Sequence, residues 1–206
     1  MINYQGNFEA KKNVTVENLP AGSYIGKIKD ARIEQQTING RTYDRLVLEM
    51  DVTEGPHKDH YTKAFEAASG GQYPAKYKGV YRISIPQHGD QYEAMNKRIL
   101  EGAAWAFEQS NKGYHWDWDE SKLKGLSVGF SVREADYLLD DAEGVRSGTT
   151  TEICKLESVD DVRAGTIKIP KRRELKEAQK RRLEEYKIQS QGFTAVDTSM
   201  DEELPF

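Results

Sequence analysis

Between Tyr43 and Val52 the chain alternates, with Leu46, Leu48, Met50 and Val52 on one face and Tyr43, Arg45, Glu49 and Asp51 on the other. A period of two belongs to an extended strand with one buried face, so this segment constrains the fold more than any other. A second alternating run precedes it. After the turn residues Pro20-Ala21-Gly22, the stretch from Ser23 to Ile33 sets Tyr24, Gly26 and Ile28 against Lys27 and Lys29. Asn39-Gly40 lies between the runs, and Asn-Gly readily takes up the positive φ angles of a tight hairpin turn. A β-hairpin over residues 23–52 is the expected nucleus of the fold.

Further strands are expected downstream. Glu54-Gly55-Pro56 breaks the chain, Tyr61 to Phe65 reads as a short third strand, and Ala67 to Gly79, with Ser69-Gly70-Gly71 and Pro74, reads as a loop. Tyr81, Ile83 and Ile85 alternate up to Pro86. From Asp90 to Gln109 the period changes: Tyr92, Met95, Ile99, Ala103 and Ala106 or Phe107 recur at helical spacing, which predicts a helix with those residues inward. Leu126 to Val132 and Thr149 to Leu156 are again strands, joined through the acidic loop Asp140-Asp141-Ala142-Glu143-Gly144, and Ile167 and Ile169 close the body before Pro170. The expected class is mainly β within α+β, an oligonucleotide-binding (OB) type barrel of five strands, partly open, with one intervening helix. A split sheet with a packed helix is the other arrangement this pattern allows. Residues 1–170 form the expected domain, 171–190 a charged helix with a narrow stripe of Leu175, Ala178, Leu183 and Tyr186, and 191–206 a polar tail expected to be disordered.

Charge sharpens this division. The 206 residues carry a net charge of −4, the wrong sign for a nucleic-acid binder taken whole. From Gln191 onward, however, the only charged side chains are Asp197, Asp201, Glu202 and Glu203, so the tail holds all the excess and the body is neutral. A neutral body binds phosphate where its cations share a face. With Cys154 alone no intramolecular disulfide can form, and Met1 to Gln5 lacks the basic and apolar segments of a leader. Both suit a reducing cytoplasm. No apolar run approaches a membrane span.

The last six residues are Asp201-Glu202-Glu203-Leu204-Pro205-Phe206. Acid, apolar group, proline and a terminal aromatic converge on a carboxylate, the outline of a docking peptide: Phe206 for a pocket, the carboxylate for a basic rim, the acids for a positive surface. This ending resembles the tip of bacterial and bacteriophage single-stranded DNA-binding proteins. The resemblance is specific over these six residues and loose over the body. It implies that Asp201, Glu202, Glu203, Leu204, Pro205 and Phe206 recruit replication or recombination proteins such as a polymerase, helicase, primase or recombinase. It also implies that the body coats single-stranded DNA during phage replication, recombination or repair, with no cofactor and no enzymatic activity. A charged helix stands where a Gly/Gln-rich linker is frequent in that family, so for self-association a dimer is expected before the bacterial tetramer.

Coating single strands without sequence preference requires cations that follow phosphates and rings on which bases stack. The candidates are Lys27, Lys29 and Arg32 on the first strand, Arg41 at the turn, Tyr43 and Arg45 on the second, and Tyr61, Lys63 and Phe65 on one face of the third. Tyr73, Lys76, Tyr77 and Lys78 in the loop and Arg82 beyond it complete the set. Trp105 reads as core, and Trp116 and Trp118, alternating with Asp117 and Asp119, as a packed loop whose acids repel phosphate. The basic helix reads as a solvated helix resting on the body, a phosphate-tracking extension or an oligomerisation element. Two other functions compete: an adaptor that carries the recruiting tip but binds no DNA, and a magnesium nuclease built on Glu120 and Lys122. The nuclease ranks third, because the acid-x-lysine spacing is common by chance and needs another metal-binding acid from a neighbouring strand. His57 and His60 are close, but His88, His115 and Cys154 are too scattered to complete a zinc set with them.

Overall fold

A computed structural model describes residues 17–38, 40–69, 74–142 and 144–192. They form a mixed α+β unit, mainly β, around one antiparallel sheet. In chain order the elements are β1 (Gly22–Ile38), β2 (Arg41–Val52), α1 (His60–Ala68), β3 (Val80–Ser84), α2 (Glu93–Ser110), β4 (Ser127–Asp141), β5 (Gly144–Glu157), α3 (Val159–Ala164) and α4 (Glu177–Gly192). A 3-10 turn, Glu120–Leu123, precedes β4. The sheet order is β3-β2-β1-β4-β5. It is not closed, and its outer strands approach at one point, where the Tyr81 hydroxyl on β3 donates to the Cys154 carbonyl on β5 at 3.5 Å.

The expected hairpin is present and longer than its alternation. Pairing runs from Gly26 opposite Val52 to Ile38 opposite Arg41, with Gly40 at φ +77° in the turn. Beyond Ile33 the strand has no apolar period, but Gln35 bonds Asp44 at 3.1 Å and Thr37 meets Thr42 at 3.2 Å across the pair. A bulge between Ile28 and Asp30 lets β1 change neighbours, so that Gly22 to Lys27 also pair with β4. Beyond that stretch β4 continues with β5 as a second long hairpin.

The core gathers Ile28, Leu46, Leu48, Met50, Val52, Ile83, Val128, Phe130, Val132, Ile153 and Leu156 from the strands with Ala103, Ala106 and Phe107 from α2. The α2 helix is as expected, but its inward stripe is rotated. Asn96, Ala103, Ala106 and Phe107 are buried and Leu100 packs against the core, whereas Tyr92, Met95 and Ile99 are exposed. The small side chains at 103 and 106 let the helix approach the sheet and so choose the face. Trp105, expected in the core, is also exposed, since it stands a third of a turn from that face.

Two segments differ in type from the sequence expectation. Residues 61–65 are helical, not a strand: the carboxylate of Asp51 accepts the backbone N–H groups of Tyr61 at 3.0 Å and Thr62 at 2.9 Å, so a distant residue caps α1. Residues 171–176 are extended, and α4 begins only at Glu177. Here Arg173 donates its N–H to the Glu134 carbonyl and accepts from the Asp136 N–H, filling the edge of β4 that β1 has left. The α4 helix then lies against the β4–β5 hairpin. Arg182 holds Asp140, and the Tyr186 hydroxyl is so close to Gly144 that a β-carbon there would collide with it. No helix among the described residues is long and apolar enough to cross a membrane.

Candidate nucleic-acid interface

Because Leu46, Leu48, Met50 and Val52 point into the core, Arg45, Val47, Glu49 and Asp51 point outward, and pairing places the outward residues of β1 and β3 beside them. Tyr43 lies opposite Gln36. Arg45 lies between Glu34 and Ser84, and Val47 between Arg32 and Arg82. Val47 has no accessible surface although it faces outward, and the flanking arginine stems can cover such a residue. The candidates on β1, β2 and β3 therefore form rows on one outer face.

At one end of this face stands α1. Lys29, which the bulge leaves without a β2 partner, donates to the Thr62 hydroxyl at 2.8 Å and sits 5.4 Å from the centre of the Tyr77 ring. Tyr77 is pinned through its hydroxyl to the Met50 carbonyl at 3.0 Å, and the Phe65 ring meets it edge-on at 6.0 Å. Lys63 is exposed on α1 but on a different side from Phe65, so the shared face expected of Tyr61, Lys63 and Phe65 does not exist in a helix. Tyr61 is buried and offers no face for stacking. Burial pushes the hydroxyls of both Tyr61 and Tyr77 well above the usual phenol range, so neither adds negative charge to the site.

The other end is a cavity of about 560 Å³ lined by Ile38, Arg41, Tyr43, Arg45, Ser84 and Tyr92, among others. Tyr92 was not a sequence candidate. The helical stripe predicts it inward, and the rotation of α2 brings it to this cavity with Arg41 and Tyr43.

The cations divide by their partners. Arg32 is bound by Asp30 at 3.2 Å, Glu34 at 2.8 Å and Glu49 at 2.7 Å, which hold its guanidinium charged and locally neutralised. Lys27, Lys29, Arg41, Arg45, Lys63, Lys76, Lys78 and Arg82 form no ion pair among the described residues. Three arginines of the strap and α4 contrast with them: Arg172 pairs with Asp136, Arg173 joins Arg133 on Glu152, and Arg182 pairs with Asp140, whereas Lys171, Lys176, Arg181 and Lys187 form no ion pair among the described residues. Those carboxylates are held below their ordinary range by the arginines.

The remaining candidates separate from this face. Tyr73 and residues 201–206 lie outside the described residues. Lys122 pairs with Asp117 and lies 3.7 Å from Asp119, and no group of three or more His, Cys, Asp or Glu side chains suited to a metal occurs among the described residues. His57 and His60 meet ring to ring at 6.3 Å, and burial, followed by the proximity of His57, lowers the pKa of His60. Comparison with known proteins finds no family model that matches this chain and no matching curated relative.

Proposed function

We propose that this protein binds single-stranded DNA without sequence preference along the outer face of β1, β2 and β3. In the same reading it recruits replication or recombination proteins through Asp201 to Phe206. The observation that carries the proposal is the gathering of unpaired cations and rings on one sheet face and its ends. Lys27, Lys29, Arg41, Arg45 and Arg82, free of ion pairs among the described residues, lie on this face or at its ends, while Arg172, Arg173 and Arg182 of the C-terminal strap and α4 are occupied by the β4–β5 hairpin. Free cations release counterions when they meet phosphate, whereas cations already paired must first give up a carboxylate.

The fold supports the same reading. Joining β3 to β5, where Tyr81 already reaches Cys154, would turn the sheet into a five-stranded barrel with α2 between β3 and β4. In OB barrels the β2–β3 face and the adjoining loops take up oligonucleotides. From Asp51 to Tyr43 the face is roughly 25 Å long at about 3.3 Å per residue, room for a few extended nucleotides. Arg41, Arg45 and Tyr43 serve one end, and Lys29, Phe65 and Tyr77 the other. Cytoplasmic action in a bacterial host and a role in phage replication belong to the same proposal, through the resemblance of the tip.

Fluorescence anisotropy of labelled oligo-dT against the full chain, a chain ending at Gln191, and a full chain with Lys27, Lys29, Arg41, Tyr43 and Arg45 replaced tests it, with chelator present. Salt-dependent binding that strengthens without the tail and collapses in the substituted chain is expected. Absence of binding at low salt would leave the adaptor as the better account of the tip.

A further inference from the structure

We propose a second docking site, unrelated to the DNA face and to the acidic tip: an aromatic pocket at Trp118 that accepts a large apolar side chain flanked by lysine or arginine, presented by another protein. Ile33 and Leu46 from the inner side of the β1–β2 hairpin, Ile85 after β3, Leu100 of α2, Trp116 and Trp118 line a cavity of about 290 Å³, with Asp44 and Glu120 at its edge. The hairpin projects past the part of the sheet that α2 covers, so Ile33 is left exposed and the core ends in an open apolar slot.

Trp118 is placed there against its own backbone preference. It is a non-glycine residue in the left-handed region, at φ +69°, and 59% exposed. A bulky side chain in that conformation is an outlier that local packing must sustain, and such residues concentrate at ligand and switch sites. Its support is Trp116, 4.9 Å away between ring centres. Trp116 is itself fixed by its indole N–H to the Asp119 carbonyl at 3.0 Å and by edge contact with Phe107 at 5.5 Å. Trp118 therefore presents a solvent-facing aromatic wall backed by Trp116, the kind of surface that dominates protein interfaces.

Charge chooses the occupant. Asp117 and Asp119 share Lys122, but Asp44 and Glu120 have no cation among the described residues, so the edge of the slot is negative. Phosphate is repelled, and so is the chain's own Asp201 to Phe206. A cationic residue beside the apolar anchor would meet the two carboxylates and the aromatic faces together. At this volume the slot suits side chains rather than a cofactor.

The test uses the full chain and three labelled hexapeptides: Lys-Lys-Leu-Phe-Lys-Lys, Glu-Glu-Leu-Phe-Glu-Glu and Lys-Lys-Ser-Ser-Lys-Lys. Binding is followed by anisotropy and by tryptophan fluorescence. The first peptide is expected to bind at least tenfold more tightly than the other two. Trp118→Gly, which relieves the backbone and should keep or raise Tm, and Glu120→Lys are each expected to weaken it at least tenfold while oligo-dT behaves as with the unaltered chain. Equal binding of the three peptides, no binding of the first at about 1 mM, or unchanged binding by Trp118→Gly overturns the proposal. So does a dimer of the unaltered chain that Trp118→Gly dissociates, since the occupant is then a second copy.

Discussion

The Asp51 carboxylate accepts both the backbone N–H of Thr62, at 2.9 Å, and its hydroxyl, joining β2 to the first turn of α1. The same carboxylate takes the Tyr61 N–H, so a side chain that is 5% exposed satisfies two N–H groups of a helix start that has no side-chain cap of its own. Replacing it leaves those donors unanswered beneath α1, a loss of about 1–3 kcal/mol. Asp51→Ala is therefore expected to lower the urea midpoint clearly, and Asp51→Asn, which keeps one acceptor oxygen, to lower it less. Equal midpoints for Asp51→Ala and the unaltered chain would show that the cap contributes nothing.

That contact also explains what sequence reading could and could not reach. The hairpin, the strand around Ile83 and the strand from Leu126 to Val132 were legible because apolar residues recur at alternate positions, and α2 because its period changes; in the last strand Ile153 and Leu156 are three apart, across the bulge opposite Ser131 and Val132. Helix α1 was not: Tyr61, Lys63 and Phe65 alternate as a strand does, and the cap that selects the helix is separated from it by a turn. Asp51 itself was read as outward, which is true, yet it is buried because α1 covers it. The rotation of α2 was likewise hidden, since Tyr92, Met95 and Ile99 are as apolar as the residues that face the core and only the small Ala103 and Ala106 fit there. Lys27, Arg32, Arg41, Tyr43, Arg45 and Arg82 share one surface because they fall on the outward positions of three paired strands. Of the carboxylates on Arg32, Asp30 and Glu34 stand two residues away on β1, whereas Glu49 comes from the neighbouring strand and could not be read from β1 alone.

On the DNA-binding reading, rings and cations at this face should fail differently. Phe65→Ala removes a stacking surface beside Tyr77 and is expected to cost about 1–3 kcal/mol of oligo-dT affinity that persists at high salt, with the slope of log affinity against log salt unchanged. Arg82→Ala removes a charge without a carboxylate partner and should reduce that slope by about one. Titrations over a salt series separate the two; identical slopes in all three chains would remove Arg82 from the phosphate path.

Acid should release the C-terminal strap before it unfolds the body. Arg172, Arg173 and Arg182 hold Asp136, Glu152 and Asp140 below their ordinary carboxylate range. A carboxylate with a lowered folded pKa adds stability above its unfolded pKa and loses it as pH falls through the folded value. Attachment is thus complete near pH 6 and declines only below about 4, the ordinary range for these groups. Amide protection factors of Arg173 and Asp136, whose N–H groups join strap and β4, should fall in that window while those in β2 persist. Protection that is flat down to pH 3 would mean that the main-chain bonds alone hold the strap.

Two glycines should respond to alanine in opposite directions. Gly26 lies where β1 crosses between β2 and β4, and a β-carbon there would run into the Asp51 carbonyl and stand 2.6 Å from the Phe130 ring. Backbone and a buried ring cannot both give way in a close-packed core, so Gly26→Ala should destabilise by about 1–3 kcal/mol. Gly102 sits inside α2 with nothing within 4 Å of the same position. There alanine restricts the unfolded chain and improves the helix, for a gain of about 0.4–1 kcal/mol. Thermal or urea unfolding of the two variants should bracket the unaltered protein, and a stabilising Gly26→Ala would mean that β1 is not held between its neighbours as closely as the register requires.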